Sequence, residues 1–271
     1  MSRGDTPLRE TDRSPVHTAG SDYRLPHPFR LTWRDGLFCH WPIEPDALRP
    51  HVPDPLTLDT YDDSAWVSIV PFVAANAGLR GTPRILRPTF AELNVRTYVS
   101  IRGDPGLYFF SVDVGNAAIA TLAGRATRLP VRRARMHVSR SEGSVPDEGS
   151  QVSFASARES VGEPDAHFTV TYEPEDEISF AEPGTRDAWL TERRRFFAPD
   201  GWGDGSRPRG TVLVGEVAHA PWPLQSASIT LHENGLFAAN DLPEPDAEPV
   251  AHYCPELAMT AAIPRRMRVP Y

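Results

Sequence analysis

The stretch FAELNVRTYVSI, residues 90–101, decides the reading of this chain. Side chains of an extended strand alternate between two faces, so residues two apart share one. One face carries Ala91, Leu93, Val95, Thr97 and Val99, an ordinary core-facing set. The other carries Phe90, Glu92, Asn94, Arg96 and Tyr98: a carboxylate, an amide and a guanidinium in a row, with an aromatic ring at each end. Such a row is either the solvated outer face common in antiparallel sheets or the polar lining of a cavity. The rings favour the cavity, because Phe90 and Tyr98 are poor choices for open water. A strand sheltered on both faces needs partners for its charges, since an unpaired buried carboxylate or guanidinium costs several kcal/mol. Glu92, Asn94 and Arg96 can partner one another and leave hydrogen-bonding capacity for a ligand.

Outward from this strand the chain reads as mainly β with a few helices. Arg102 to Gly106 is a tight turn, and LYFFSVDV (107–114) completes a β-hairpin. Upstream, FRLTW (29–33), GLFCHWPI (36–43), LTLDTY (56–61) and AWVSIVPFV (65–73) have the length and punctuation of strands, with one or two helical turns between them at 44–53. Downstream, Asn116 caps a helix over 116–127, strands are expected at 133–138, 151–157 and 167–174, and SEGSVPDEG is a loop. Thr185 to Arg194 reads as a helix, TVLVGEVAHA (211–220) as a strand, and 225–240 as a further helix. Residues 1–28 carry too few large apolar groups to offset the entropy of ordering, so a disordered head is expected before one domain spanning 29–271.

Composition excludes several functions. All 28 basic residues are arginine and the net charge is −8, so a lysine nucleophile, a lysine-bearing phosphate loop and the basic face of a nucleic-acid binder are all missing. No apolar run approaches the ~18 residues of a membrane span, and the N-terminus lacks a secretory signal, which implies a soluble, cytoplasmic protein with no membrane partner. Cys39 and Cys254 are isolated and read as buried, reduced thiols. No histidine spacing matches a metal motif, so neither a metal nor any other cofactor is expected. The glycines of Gly201 to Gly205 lie in a loop without the helix start that phosphate binding requires, and read as a hairpin tip. Self-association into a homo-oligomer is left open.

Several ordered blocks resemble one family. FAELNVRTYV (90–99), GLFCHWPIEPDALRPHVP (36–53), WVSIVPF (66–72), FFSVD (109–113), Leu129-Pro130, WLTER (189–193) and GEVAHAPWPLQ (215–225) are similar to the uncharacterised YqjF-like proteins, domain of unknown function 2071. That family is similar in fold to acetoacetate decarboxylase, and the resemblance implies an antiparallel β-barrel enclosing a site. In the decarboxylases a strand glutamate and a lysine build that site, the lysine forming a Schiff base with a β-keto acid. Glu92 falls on the strand that would carry the glutamate, whereas Leu129-Pro130-Val131-Arg132-Arg133 has arginines where the lysines would lie. A guanidinium with a pKa above ~12 supplies no neutral amine, so the Schiff-base route is closed. Arg132 is then either an anion clamp or one of a surface pair.

The resulting expectation is a small carboxylate ligand lying against Phe90, Glu92, Asn94, Arg96 and Tyr98. His40 and His219, each near a tryptophan (Trp41, Trp222), either contact the ligand or serve structurally, and Trp222 is either a pocket wall or a packed ring. An enzyme would use Glu92 as general acid or base, Arg96 or Arg132 as the clamp, and Tyr98 or His40 as second proton donor in a lyase-like or isomerase-like reaction. A binding or sensing module and a structural domain are the alternatives. The state of Glu92 separates them: enclosed and shifted in pKa for an enzyme, paired with Arg96 for a strut.

Overall fold

A computed structural model describes residues 26–141, 150–158, 165–199 and 210–269. The expected head up to residue 25, the loop over 142–149 and the glycine-rich tip at 201–205 lie outside the described residues. Pro28 accepts a hydrogen bond from the Arg80 amide, and His27 Nδ1 is 3.1 Å from Thr260 Oγ1, so the chain is tied to the sheet two residues before the first strand.

Thirteen strands form one sheet: β1 (Phe29–Ile43), β2 (Thr57–Leu58), β3 (Ala65–Leu79), β4 (Phe90–Ile101), β5 (Asp104–Val114), β6 (Val131–Ser141), β7 (Gln151–Arg158), β8 (Ala166–Pro174), β9 (Arg195–Pro199), β10 (Thr211–His219), β11 (Gln225–Asn234), β12 (Val250–Ala261) and β13 (Arg265–Arg268). The strands follow the order β13-β10-β9-β5-β6-β7-β8-β11-β12-β1-β3-β4-β2. Two further pairings, β4 with β5 and β10 with β12, curl this sheet back on itself. The hydrogen bonding therefore runs in two circuits that share β12, β1, β3, β4 and β5, one completed by β6, β7, β8 and β11 and the other by β9 and β10. Where the resemblance implies a barrel, the structure gives one large, largely antiparallel sheet joined by these two further pairings.

The shared strands form a wall with a different occupant on each side. Leu37, Cys39 and Trp41 of β1, Val67 and Ile69 of β3, and Leu93 and Val95 of β4 pack against Phe154, Phe168 and Val170 in the main apolar core. On the reverse side Phe38, Val70 and Phe72 meet Trp33, Trp222 and Leu224. Strand β1 reaches both sides through a bulge rather than as the two separate strands expected. Asp35 is left-handed (φ 47°) and the register with β3 shifts between Arg34 and Cys39, which brings Trp33 onto the Phe38 side. Glycine is required next to it, because a Cβ on Gly36 would stand 1.7 Å from Trp33 Nε1.

The β4–β5 hairpin forms, turning on Arg102 (φ 55°) and Gly103 (φ 83°), the two positive-φ residues that a two-residue hairpin turn demands. Among the described residues four α-helices decorate the sheet: α1 (Pro45–Leu48), α2 (Ala117–Thr127), α3 (Arg186–Thr191) and α4 (Leu236–Ala239). Asn116 caps α2 by accepting from the Ala118 and Ile119 amides. Thr185 caps α3, but that helix stops three residues short of the expected Arg194, because the Arg193 guanidinium turns back onto Trp189 O and across to Asp59. The helix expected over 225–240 is a correction: residues 225–234 form β11. QSASITLHEN has period two, its partly buried Ala227, Ile229 and Leu231 packing on the core while Ser226, Ser228 and Thr230 are exposed. Only the four residues of α4 remain helical. Among the described residues no helix is long and apolar enough to cross a membrane.

Candidate active site

Strand β4 has buried residues on both faces, from Leu93 through Val99. Its polar row therefore faces protein, not bulk water. Asn94 is 3% exposed, Arg96 7% and Tyr98 fully buried, while Phe90 and Glu92 at the open end of the row are partly exposed. Glu92 is nonetheless enclosed enough that burial pushes its pKa up to about 7, against a weaker opposing pull from its hydrogen bond with Asn94. Asn94 Oδ1 has no partner.

Arg96 is the unusual member. Its guanidinium lies 5.6 Å from the Phe38 ring, its Nε is buried without an acceptor, and the groups acting most directly on it are Tyr98 and a second cation, Arg193. Burial lowers its pKa, and no carboxylate among the described residues forms an ion pair with it. Glu92 and Arg96 share a strand face without neutralising one another, which sets aside the strut reading.

Behind Arg96 a closed ring of hydrogen bonds joins three strands. His40 Nδ1 on β1 is 2.7 Å from Ser68 Oγ on β3, Ser68 Oγ is 2.7 Å from the Tyr98 hydroxyl on β4, and that hydroxyl is 3.1 Å from His40 Nδ1. The Tyr98 hydroxyl also donates to Leu190 O of α3 at 2.9 Å. Burial, reinforced by His252 and Arg96, holds the His40 pKa well below the ordinary histidine value, so the imidazole is neutral at pH 7. Burial raises the Tyr98 pKa. Segment 185–194 covers this ring. Trp189 lies 4.5 Å from the Tyr98 ring, and Arg193 sits over both rings while its Nη1 donates to Asp59 at 2.8 Å.

Trp222 packs edge-on against Trp33 (4.9 Å) and Phe38 (5.1 Å), and its backbone amide donates to Glu192 Oε1. His219 lies 4.6 Å from Trp222, and burial lowers its pKa. The structure thus brings Phe90, Glu92, Asn94, Arg96, Tyr98 and His40 onto one side of the wall, with Trp222 and His219 alongside. It does not bring Arg132 there. Parallel pairing of β5 with β6 sets Arg132 opposite Asp113, on the face of Leu93, and sets Arg133 opposite Val114, which pairs with Glu92. Arg133, exposed at the rim, is the arginine that shares the Glu92 face. Sequence reasoning also missed Ser68, Arg193, His252 and Asp187. Ser68 had a signal, the one hydroxyl inside the apolar run WVSIVPF; the others are assembled by contacts remote in sequence.

This curled, largely antiparallel sheet has the acetoacetate decarboxylase-like fold. Solved structures match it, among them these three. The enduracididine biosynthesis enzyme MppR complexed with pyruvate is 16% identical, with 93% of this chain and 95% of that one covered at a TM-score of 0.65. An acetoacetate decarboxylase-like enzyme from Sphingomonas wittichii RW1 is 14% identical (91% and 95% covered, TM-score 0.59), and acetoacetate decarboxylase from Legionella pneumophila is 12% identical (96% and 98%, 0.59). At these identities the likeness is one of fold. The family is shown more directly: the DUF2071 model, described as an uncharacterized conserved protein, matches residues 30–258, and the chain is 34% identical over 225 residues to uncharacterized protein YqjF of Bacillus subtilis (strain 168), covering 83% of this chain and 86% of that one. The chain belongs to the DUF2071 family.

Proposed function

We propose that this protein binds a small carboxylate through Arg96 and performs acid–base chemistry on it with Glu92. The observation that carries the reading is that buried Arg96 and partly exposed Glu92 lie on one strand face, unpaired with each other. A buried guanidinium without an anion is costly, and a carboxylate ligand would remove that cost while using both edges of the planar cation. Glu92, with a pKa of about 7, exchanges protons readily near neutral pH, as a general acid or base should. The Tyr98 hydroxyl, fixed by Ser68 and His40, is the second proton donor. The reaction class is lyase-like or isomerase-like: proton removal from, or delivery to, an atom near the bound carboxylate. That MppR has been seen with pyruvate supports a short-chain acid. A lysine Schiff base is ruled out by composition, since the chain has no lysine.

The test is a thermal-shift panel of short carboxylic acids including pyruvate and acetoacetate, followed by proton NMR in D2O to detect exchange of hydrogens near the carboxylate. At least one acid should raise the melting temperature, the effect growing with the logarithm of its concentration. Arg96→Met should abolish that rise, and Glu92→Gln should retain binding while abolishing exchange. A panel without a binder, or an Arg96→Met variant that binds as the parent does, overturns the proposal. Binding without any exchange would assign the site to a binding or sensing module.

A further inference from the structure

His252 on β12 stands between the buried ring of hydrogen bonds and the surface. Its imidazole centre is 5.7 Å from that of His40, edge to face, and its Nε2 is 3.5 Å from Asp187 Oδ2, whose side chain is 41% exposed. The two imidazoles leave one nitrogen each without a partner: His40 Nε2 and His252 Nδ1, both buried. The other nitrogen of each ring is engaged: His40 Nδ1 is within hydrogen-bond distance of Ser68 and Tyr98, and His252 Nε2 lies near Asp187 Oδ2. Buried polar atoms are almost always satisfied, and two open nitrogens on neighbouring rings are satisfied together by one hydrogen bond or one bridging water.

We infer that Ser68, His40, His252 and Asp187 form a proton path between the covered site and solvent. This rests on the acid–base reading of the same site, to which it adds the route by which protons leave and return. In one passage Tyr98 takes a proton from the bound ligand as its hydroxyl turns from Leu190 O and gives its own proton to Ser68 Oγ, and Ser68 gives its proton to His40 Nδ1. His40 releases its Nε2 proton to His252 Nδ1, directly or through the water, and His252 releases its Nε2 proton to Asp187, which hands it to bulk water. Each imidazole gains one proton and loses one, so no charge is left in the interior, and reversal of the passage restores the tautomers. The groups facing the path are Tyr98 and Arg96 from β4, Phe38 from β1, and Arg186 and Asp187 from α3. The nearby cations disfavour a lasting imidazolium on His40, which suits a group that passes a proton on and does not store it. Asp187 and His252 touch no ligand in this scheme; they act through His40.

The experiment needs no ligand. In the full chain labelled with 15N-histidine, His40 is assigned by a His40→Gln variant and the exchange of its ring proton with water is measured by NMR. His252→Gln keeps a hydrogen-bonding side chain but cannot shuttle protons, and Asp187→Asn removes the exposed acceptor. Both should slow His40 exchange by tenfold or more while the melting temperature stays within a few degrees of the parent. Exchange at the parental rate in a folded His252→Gln protein overturns the path. Should that variant fail to fold, Asp187→Asn decides by the same criterion. Because no carboxylate is present, this result stands or falls separately from the binding panel.

Discussion

Two of the buried arginines among the described residues, Arg158 and Arg96, have surroundings that differ in one respect. Arg158, at the end of β7 on the main-core side of the wall, is fully buried and held by Asp113, also fully buried, with its Nε 3.1 Å from Oδ1 and its Nη2 3.0 Å from the same carboxylate. Arg96, on the other side, has an aromatic ring and a phenol where Arg158 has an acid. A buried cation with its anion built in is a structural element that becomes a liability only when one partner is removed. Under the proposed function, a buried cation whose anion is missing is a binding element, whose cost the fold bears until a ligand arrives. The difference teaches that burial of charge by itself does not mark a site; what singles out Arg96 for the proposed one is burial without a counterpart.

The largest effect should come from breaking the completed pair. Asp113→Asn leaves Arg158 buried and uncompensated, and stability measured by urea unfolding should fall by about 3–5 kcal/mol. Arg96→Met should do the reverse, leaving stability level or raising it by about 1 kcal/mol while ligand binding is lost. A loss at Arg96 as large as that at Asp113 would mean that Arg96 has a structural anion after all, and the contrast would collapse.

Glu92 sharpens the comparison through pH. Its folded pKa of about 7 lies above its ordinary value of 4.5, so between these values the folded state binds the extra proton and stability falls as pH rises. The parent should therefore lose stability from pH 5 to pH 8, by on the order of 2 kcal/mol after allowance for the partial exposure of the carboxylate. Glu92→Gln should match the parent near pH 5 and exceed it at pH 8 in melting temperature. Equal pH profiles for the two proteins would show that Glu92 ionises normally. The smallest effect is expected from deleting residues 1–25, which leaves the ties to the sheet at His27 and Pro28 in place. The melting temperature should stay within a couple of degrees, and both arginines should keep their roles.

Much of this was legible because strand periodicity is local. The alternation over 90–101 and the hairpin after it follow from neighbouring residues, and so do the caps Asn116 and Thr185. What could not be read is set by pairings remote along the chain. Whether Arg132 or Arg133 joins Glu92 depends on a parallel register between β5 and β6 that no spacing announces. The cover over Tyr98 depends on Leu190 and Trp189 reaching back some ninety residues. The His40–His252 contact exists because β1 pairs with β12. The misreading of 225–240 has a different cause: Gln, Ser, Ala and Leu are tolerated in helices, and the alternation of Ala227, Ile229 and Leu231 outweighed that tolerance once β8 offered a partner.

The wall shared by the two circuits separates inheritance from invention. Along the middle of β4 the odd-numbered positions answer to the apolar core and the even-numbered ones to the recess, so one set can be rewritten while the other is kept. Exchanging Asn94 or Arg96 for other polar groups should change what the proposed site recognises and leave Leu93 and Val95 in place. A one-residue insertion would transpose the two sets at once, placing the guanidinium in the core and leucine in the recess. The strand's length is therefore rigid where its even letters are free, and a laboratory seeking new ligands for this scaffold can vary those letters as a cassette.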